Sequence, residues 1–436
     1  MIESKDDLVA VLHEVAEIEH TVMCQYLTAA FTVKRAGDPG MDPVHAERAR
    51  RMHAAVYKVA RQEMEHLALI NNILIALGAP AHLWRPAFPV KYGYFPLNLP
   101  FTLQPLDKGT LGRFICFERP DQWEQGSCGF DPADLCAQHV VAAEVHAAAG
   151  APLGAFTDRY DTVGDILLAV RDAITNRNAL PALTGLFTGD PQKEPVANFI
   201  LGFAMNIYEF TVSDVATATA ALDLLLLQGE GARAQPGFTS HFCTFCDVYS
   251  ALQQDEFDLA WPMVENPSAA NVTDPFAKAL MDALSYGYVT LLYMLASWYT
   301  YFQPEASPAA GLSAALQQMA IAPMMTMIVR PLGEILCSTP SGDGTTTAGP
   351  CWDIPDADSE LHPTDDVDFF MERLSEMATR IEAAAGAAPR GGGTSPGTRL
   401  DYITQNAWRM WADFGLITGA ISTDDADRRI RALGRS

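Results

Sequence analysis

Two long stretches of helical periodicity on either side of Gly37-Asp-Pro-Gly40 constrain this chain more than anything else in it. The first opens on Ser4 with Asp7 three residues later, the spacing of a capping box, and carries Leu8, Val11, Leu12, Val15, Ile18, Val22 and Tyr26 at helical intervals toward Arg35. The second has Asp42 as N-cap and Pro43 at the first helical position, and it runs to Gly78. Long helices joined by a short turn pack as antiparallel neighbours, so the chain is committed early to a helical bundle.

The second helix carries Glu63 and His66, three residues apart and therefore on one side of it. They lie along the apolar stripe of Leu67, Ile70, Ile73, Leu74 and Leu77. Polar groups on a buried face need partners, and a metal ion is one such partner. In an antiparallel pair, residues equally far from the turn share a height. Glu19 lies about 20 residues before the turn centre and Glu63 and His66 about 24 and 26 after it, an offset of roughly one turn at about 1.5 Å per residue. Glu19 is thus predicted within reach of the same point, while Glu14 and Glu17 are expected in solvent and His20 points roughly 100° away.

From residue 79 to 198 prolines and aromatics crowd, as in Trp84-Arg-Pro-Ala-Phe-Pro. That length suits an ordered insertion between the second and third core helices, with short helices over Leu106 to Phe117 and Val163 to Asn176. Helical periodicity returns over Phe199 to Gln228 and again from His241, so that Glu230 and His241 flank one turn and match in height. The predicted fold is mainly α: a four-helix bundle over residues 1–256 that includes the insertion, and a C-terminal helical region over 257–436 packing on it. Helices are expected there at Phe276 to Phe302, Leu312 to Cys337, Asp365 to Ala388 and Leu400 to Gly415, with a flexible linker at 387–397.

The candidate metal ligands are therefore Glu19, Glu63, His66, Glu230 and His241. Oxygen and nitrogen donors suit iron or manganese, as one or two ions, with Glu63 as the bridge if there are two. A symmetric site would hold two Glu-x-x-His pairs and two further glutamates, but position 238 is Phe. Asp223 or Asp247 would have to substitute, so an uneven site is expected. Two blander readings compete: Glu230 as a mere helix end, and Ser240-His241 as an N-cap beside a surface histidine. Haem stays open through His13, His53 and His139, none of which has an attachment motif.

The formal charge of -24 repels nucleic acid and anionic membranes and leaves a small-molecule or protein partner, with a small-molecule substrate expected; association with further copies of the chain stays open. The eight cysteines are scattered and Cys243-Thr-Phe-Cys246 is a lone CxxC, which reads as reduced thiols. The N-terminus has no leader pattern, and the apolar run from Tyr286 to Phe302 falls short of a membrane span. The expected location is cytoplasmic.

Six ordered motifs carry a resemblance: Ile18-Glu-His-Thr-Val-Met-Cys-Gln-Tyr-Leu27, Gln62-Glu-Met-Glu-His-Leu67 and its continuation to Gly78, Phe114-Ile-Cys-Phe-Glu-Arg-Pro120, Thr162-Val-Gly-Asp-Ile166, Gln228-Gly-Glu-Gly231 with Ser240-His-Phe242, and Arg330-Pro-Leu332 with Thr347-Ala-Gly-Pro350. Together they resemble the ferritin-like domain family of the iminophenylpyruvate dimer synthases, the chromopyrrolate synthases of violacein and rebeccamycin-type pathways. The resemblance implies a ferritin-like core, metal at Glu19, Glu63, His66, Glu230 and His241, and an oxidative coupling of imines derived from an aromatic amino acid. Glu118 and Arg119 fall in the third motif and read either as an ion pair or as a reach toward a substrate carboxylate or a ligand. A non-redox metal-dependent lyase or condensing enzyme, and a non-catalytic binding protein on the same bundle, are the competing classes.

Overall fold

The structure is a computed structural model that describes residues 2–90, 99–120, 135–136, 160, 162–176, 185–191, 194, 211–229, 239–253, 259–301, 310–355, 361–389 and 396–433. The chain divides into two compact units, Met1–Pro191 with Tyr208–Trp261 and Gln192–Ile207 with Pro262–Ser436.

In the first unit the two long helices are α1 (Lys5–Thr32) and α2 (Pro43–Ala76). The capping box forms as the sequence predicts: Asp7 N donates to Ser4 Oγ at 3.1 Å, and Ser4 N donates to Asp7 Oδ2 at 2.9 Å. Asp42 accepts from Val44 N and His45 N at 2.8 and 2.9 Å, which satisfies donors that the first turn of α2 leaves without partners. Thr188 Oγ1 accepts from Lys5 Nζ at the start of α1 at 2.9 Å and donates to Leu77 O at the end of α2 at 3.0 Å, so the pair is antiparallel. Gly78 ends α2 with φ +83°, and a Cβ there would lie 2.7 Å from Thr188 Oγ1. Both the backbone conformation and the space require glycine.

The second half of α1, from Ile18 to Thr32, is buried on every side. A helix buried all round sits at the centre of its fold, and its polar residues must then find protein partners. Gln25 Nε2 donates to Thr102 O at 2.9 Å, and Thr32 Oγ1 accepts from Leu106 N at 3.0 Å. Around this pair lie α3 (Lys108–Phe117), α4 (Val163–Thr175), α5 (Val215–Gly229) and α6 (His241–Gln253). α3 packs on α6, α4 on α5, and α2 on both α5 and α6. The helix expected over Phe199 to Gln228 is not continuous: residues 211–214 are not helical, and the helix starts at Val215, where Asp214 Oδ1 accepts from Thr217 N at 2.9 Å.

The second unit holds α7 (Pro275–Tyr301), α8 (Ala310–Met319), a π-helical stretch (Ala320–Val329), α9 (Arg330–Cys337), α10 (Val367–Ala387), α11 (Pro396–Thr418) and α12 (Thr423–Leu433). The single helix expected over Leu312 to Cys337 is broken in this way because Pro323 cannot donate a backbone hydrogen bond, and the turn widens around it. α12 lies beyond the expected helices; most of its residues are charged, and Ala426, Ile430 and Leu433 recur at helical spacing, with Ala426 buried. Among the described residues, α7 is one helix long and apolar enough to cross a membrane by length and composition, and 67% of its apolar stretch is buried. β pairing among the described residues is confined to isolated bridges such as Val33 with Ala260.

One expectation is overturned outright. Cys116 and Cys136 form a disulfide, with Cα atoms 5.6 Å apart, and Cys246 of the CxxC pair is disulfide-bonded as well. Spacing along the chain could not show this, because the Cys116 partner is brought close by the fold.

Candidate metal centre

Four helices aim side chains at one buried point. Glu19 comes from the buried half of α1, and Glu63 and His66 come from one face of α2. Glu118 caps the C-terminus of α3, a helix whose start is set by Asp107 accepting from Thr110 N at 2.7 Å. His241 is the first residue of α6, begun by Ser240, whose Oγ accepts from Cys243 N at 3.2 Å. All five side chains are buried.

Glu63 lies between the two imidazoles. Its Oε2 is 2.9 Å from His66 Nδ1 and its Oε1 is 2.8 Å from His241 Nδ1. Each imidazole faces one further carboxylate at 3.5 Å: Glu19 Oε2 for His66 and Glu118 Oε2 for His241. The result is a near-symmetric row, carboxylate–imidazole–Glu63–imidazole–carboxylate, with ring centroids 5.2 Å apart. Outside the row, His66 Nε2 is 2.8 Å from Gln228 Oε1, and the Tyr26 hydroxyl donates to Glu118 Oε1.

The donor set fits a metal ion. Glu63 Oε1 and both ring nitrogens of His241 are buried and make no hydrogen bond among the described residues, which costs about 1–3 kcal/mol for each such group. Nitrogen and oxygen donors of Glu63, His66 and His241 lie within 4.8 Å of one another and could jointly hold an ion. A set of carboxylates and imidazoles with no thiolate matches iron or manganese.

The charges point the same way. Burial and the neighbouring Glu63 push Glu19 up to about 8, and the same two causes raise Glu118. Burial also works against ionisation of Glu63, but His241 and His66 outweigh it and hold its carboxyl well below the usual range. Burial disfavours both imidazolium ions, yet Glu63 overcomes it, lifting His241 to about 9 and His66 well above its ordinary value. With no metal, protons on the two imidazoles provide the positive charge that Glu63 needs.

Of the five sequence candidates, the fold brings together Glu19, Glu63, His66 and His241; Glu230 lies outside the described residues. The carboxylate sought at Asp223 or Asp247 is at neither. Asp223 pairs with Arg171 at 3.0 Å near the surface, and Asp247 is exposed on α6. The carboxylate beside His241 is Glu118, from the stretch read as an insertion. Its signal was faint: one acidic residue directly after a short apolar helix, with no turn to fix its height. Gln228 and Tyr26 were visible only as members of motifs or of an apolar face. Glu17 is not simply solvated, since its Oε1 is 3.0 Å from His82 Nε2. His20 is buried beside Arg85, away from the row. Of the haem candidates, His13 stacks on His82 and His53 on Tyr57, while His139 lies outside the described residues.

A helical bundle with inward carboxylates and imidazoles converging from several helices defines the class: a carboxylate–histidine bundle. The chain belongs to the ferritin-like family, whose family model matches residues 12–250. It is 28% identical over 396 residues to the dichlorochromopyrrolate synthase of Lentzea aerocolonigenes, a match that covers 81% of this chain and 36% of that protein. It is also 28% identical over 378 residues to the 2-imino-3-(indol-3-yl)propanoate dimerase of Chromobacterium violaceum, covering 80% of this chain and 34% of that one. The chain thus spans about a third of the length of these curated relatives. Among solved structures, a ferritin-like protein from Caulobacter vibrioides aligns with TM-score 0.46 and 19% identity, over 71% of this chain and 92% of that chain.

Proposed function

We propose that this protein is a metal-dependent oxidative enzyme of natural-product biosynthesis. Iron is the metal, and the substrate is a small aromatic compound derived from an amino acid. The observation that carries the reading is the position of Glu63, whose two oxygens face two different imidazole nitrogens at 2.8 and 2.9 Å. Glu19 and His66 would hold one ion and Glu118 and His241 a second, with Glu63 between them. Bound iron supplies one-electron redox chemistry and the activation of dioxygen or peroxide.

The relatives favour the coupling of imines. One is named for a 2-imino-3-(indol-3-yl)propanoate and its dimerisation, the other for a dichlorochromopyrrolate. Joining two imines through carbon forms one C–C bond and releases two electrons and two protons; dioxygen or peroxide accepts them. The chain's own residues contribute in three ways. Burial excludes water, which protects an imine from hydrolysis. Glu19 and Glu118, whose carboxyls are both raised without a metal, would release their protons as the cation binds and then face it as carboxylates. Tyr26 and Gln228 hold Glu118 and His66 in place from outside the row.

The test is elemental analysis of the purified protein, followed by assay with an aromatic 2-imino acid generated in situ, with and without dioxygen or peroxide. The reading expects stoichiometric iron and a coupled product only when the oxidant is present. Product that forms equally without oxidant points to a non-redox condensation, and absence of any stoichiometric metal points to a binding protein.

A further inference from the structure

The row is symmetric in its five inner side chains and unsymmetric just outside them. His66 Nε2 lies 2.8 Å from Gln228 Oε1, whereas His241 Nε2 is buried without a hydrogen-bond partner among the described residues. Gln228 is itself 1% exposed, sits in the last turn of α5, and reaches His66 from 162 positions along the chain.

An imidazole binds a metal through a nitrogen that carries no proton, so the hydrogen bond made by its other nitrogen decides which atom is offered. With Nε2–H donating to Gln228 Oε1, Nδ1 of His66 is the nitrogen that would give up its proton and offer a lone pair toward Glu63 and Glu19 when a cation binds. The ring is also fixed against rotation. His241 has no such restraint among the described residues: its Nδ1 faces Glu63 and Glu118, and no described residue on Nε2 selects the tautomer. An amide is a telling choice in this place. It accepts the hydrogen bond as a carboxylate would, yet adds no negative charge beside Glu19, Glu63 and Glu118.

Resting on the metal-centre reading above, we propose that Gln228 is a positioning residue that makes the two halves of the cluster unequal, directing the first metal ion to the Glu19–His66 side. The Glu118–His241 side then fills second and more weakly. Groups that orient a ligand from outside the first contact layer typically change metal affinity by about 10- to 100-fold, enough to separate two binding steps.

The experiment is an anaerobic titration of the chelator-treated full chain with Co(II), following its visible ligand-field bands and, by NMR, the hyperfine-shifted imidazole N–H. Wild type should take up two ions in two steps, with one slowly exchanging N–H appearing in the first. Glu118→Gln should remove the second step alone. Gln228→Leu should weaken the first step by about 10- to 100-fold, merge it with the second and speed exchange of that N–H. Gln228→Glu, nearly the same shape and still an acceptor, should restore the order and the slow exchange. Two steps in wild type that Gln228→Leu leaves unchanged, or weakens equally, overturn the inference while the metal centre stands. A single ion in wild type overturns the ordering in the same way. No uptake of cobalt at all removes the metal-centre reading, and the inference falls with it.

Discussion

Glu63 Oε1 and His241 Nδ1 approach to 2.8 Å deep in the first unit, yet neither atom makes a hydrogen bond among the described residues. Their partner residues are equally buried, so water does not compensate them cheaply. A donor and an acceptor this close and still not aligned on each other leave room for the cation proposed above. The same relationship explains why Glu63 is the residue with most to lose on substitution.

Glu63→Ala should therefore abolish binding in both halves of the cluster, while His66→Ala should remove most of the bound iron. Asp223→Asn is the control, because that carboxylate faces Arg171 near the surface, and it should leave the metal unchanged. Elemental analysis of the three purified variants checks this. Normal iron in His66→Ala, or equal losses in all three, would contradict the assignment.

Metal uptake should release protons. His241 is lifted to about 9 and Glu19 to about 8, so at pH 7 the metal-free cluster holds protons that a cation must displace. Affinity should rise as pH goes from 6 to 9. For the metal-free protein the sign is opposite: His241 and Glu19 bind more protons folded than unfolded across this window, so stability falls as pH rises toward 9. Calorimetric titration in two buffers of different ionisation enthalpy reads the first effect, and melting of chelator-treated protein reads the second. Buffer-independent heats would count against proton displacement.

Glu14 offers a separate pH test away from the row. Burial, aided by Glu17, pushes its carboxyl up to about 7, above the ordinary 4.5. A carboxyl raised by folding costs stability once it ionises, so the penalty grows from pH 4.5 to about 7. Glu14→Gln should raise the melting temperature at pH 8 and leave it nearly unchanged at pH 4.5. An equal change at both values would mean that packing, not charge, decides the effect.

The Cys116–Cys136 disulfide closes a segment with a sequence separation of 20 residues, and Cys116 stands two positions before Glu118. Chain-entropy reasoning for a loop of this size assigns it about 3 kcal/mol. Cys136→Ser should lower unfolding free energy by about that amount in a denaturant titration. Non-reducing peptide mapping should recover the linked pair; two separate thiol peptides would rule it out.

Much of this was legible along the chain, and the reason is locality. The capping box at Ser4 and Asp7, the Asp42-Pro43 start and the Gly78 stop depend on residues within a few positions of one another. So do the helical period and the shared face of Glu63 and His66. Even Glu19 could be placed, since a short turn converts distance along two helices into height. The break at Pro323 is local too, since it follows from the missing backbone donor of one residue.

Glu118, Gln228 and the pairing of Cys116 obey no such rule. Each meets its partner across roughly 20 to 160 positions and through loops whose path no local signal fixes, because long loops cost little more entropy than short ones and so are weakly constrained. The sequence by itself determined a helical bundle with Glu63 and His66 on one inward face and Glu19 within their reach, and left His241 open between that site and the surface. Only tertiary packing decided that α3 would lie against α6, that Glu118 would become the carboxylate opposite Glu19, and that one imidazole of the two would be held by an amide.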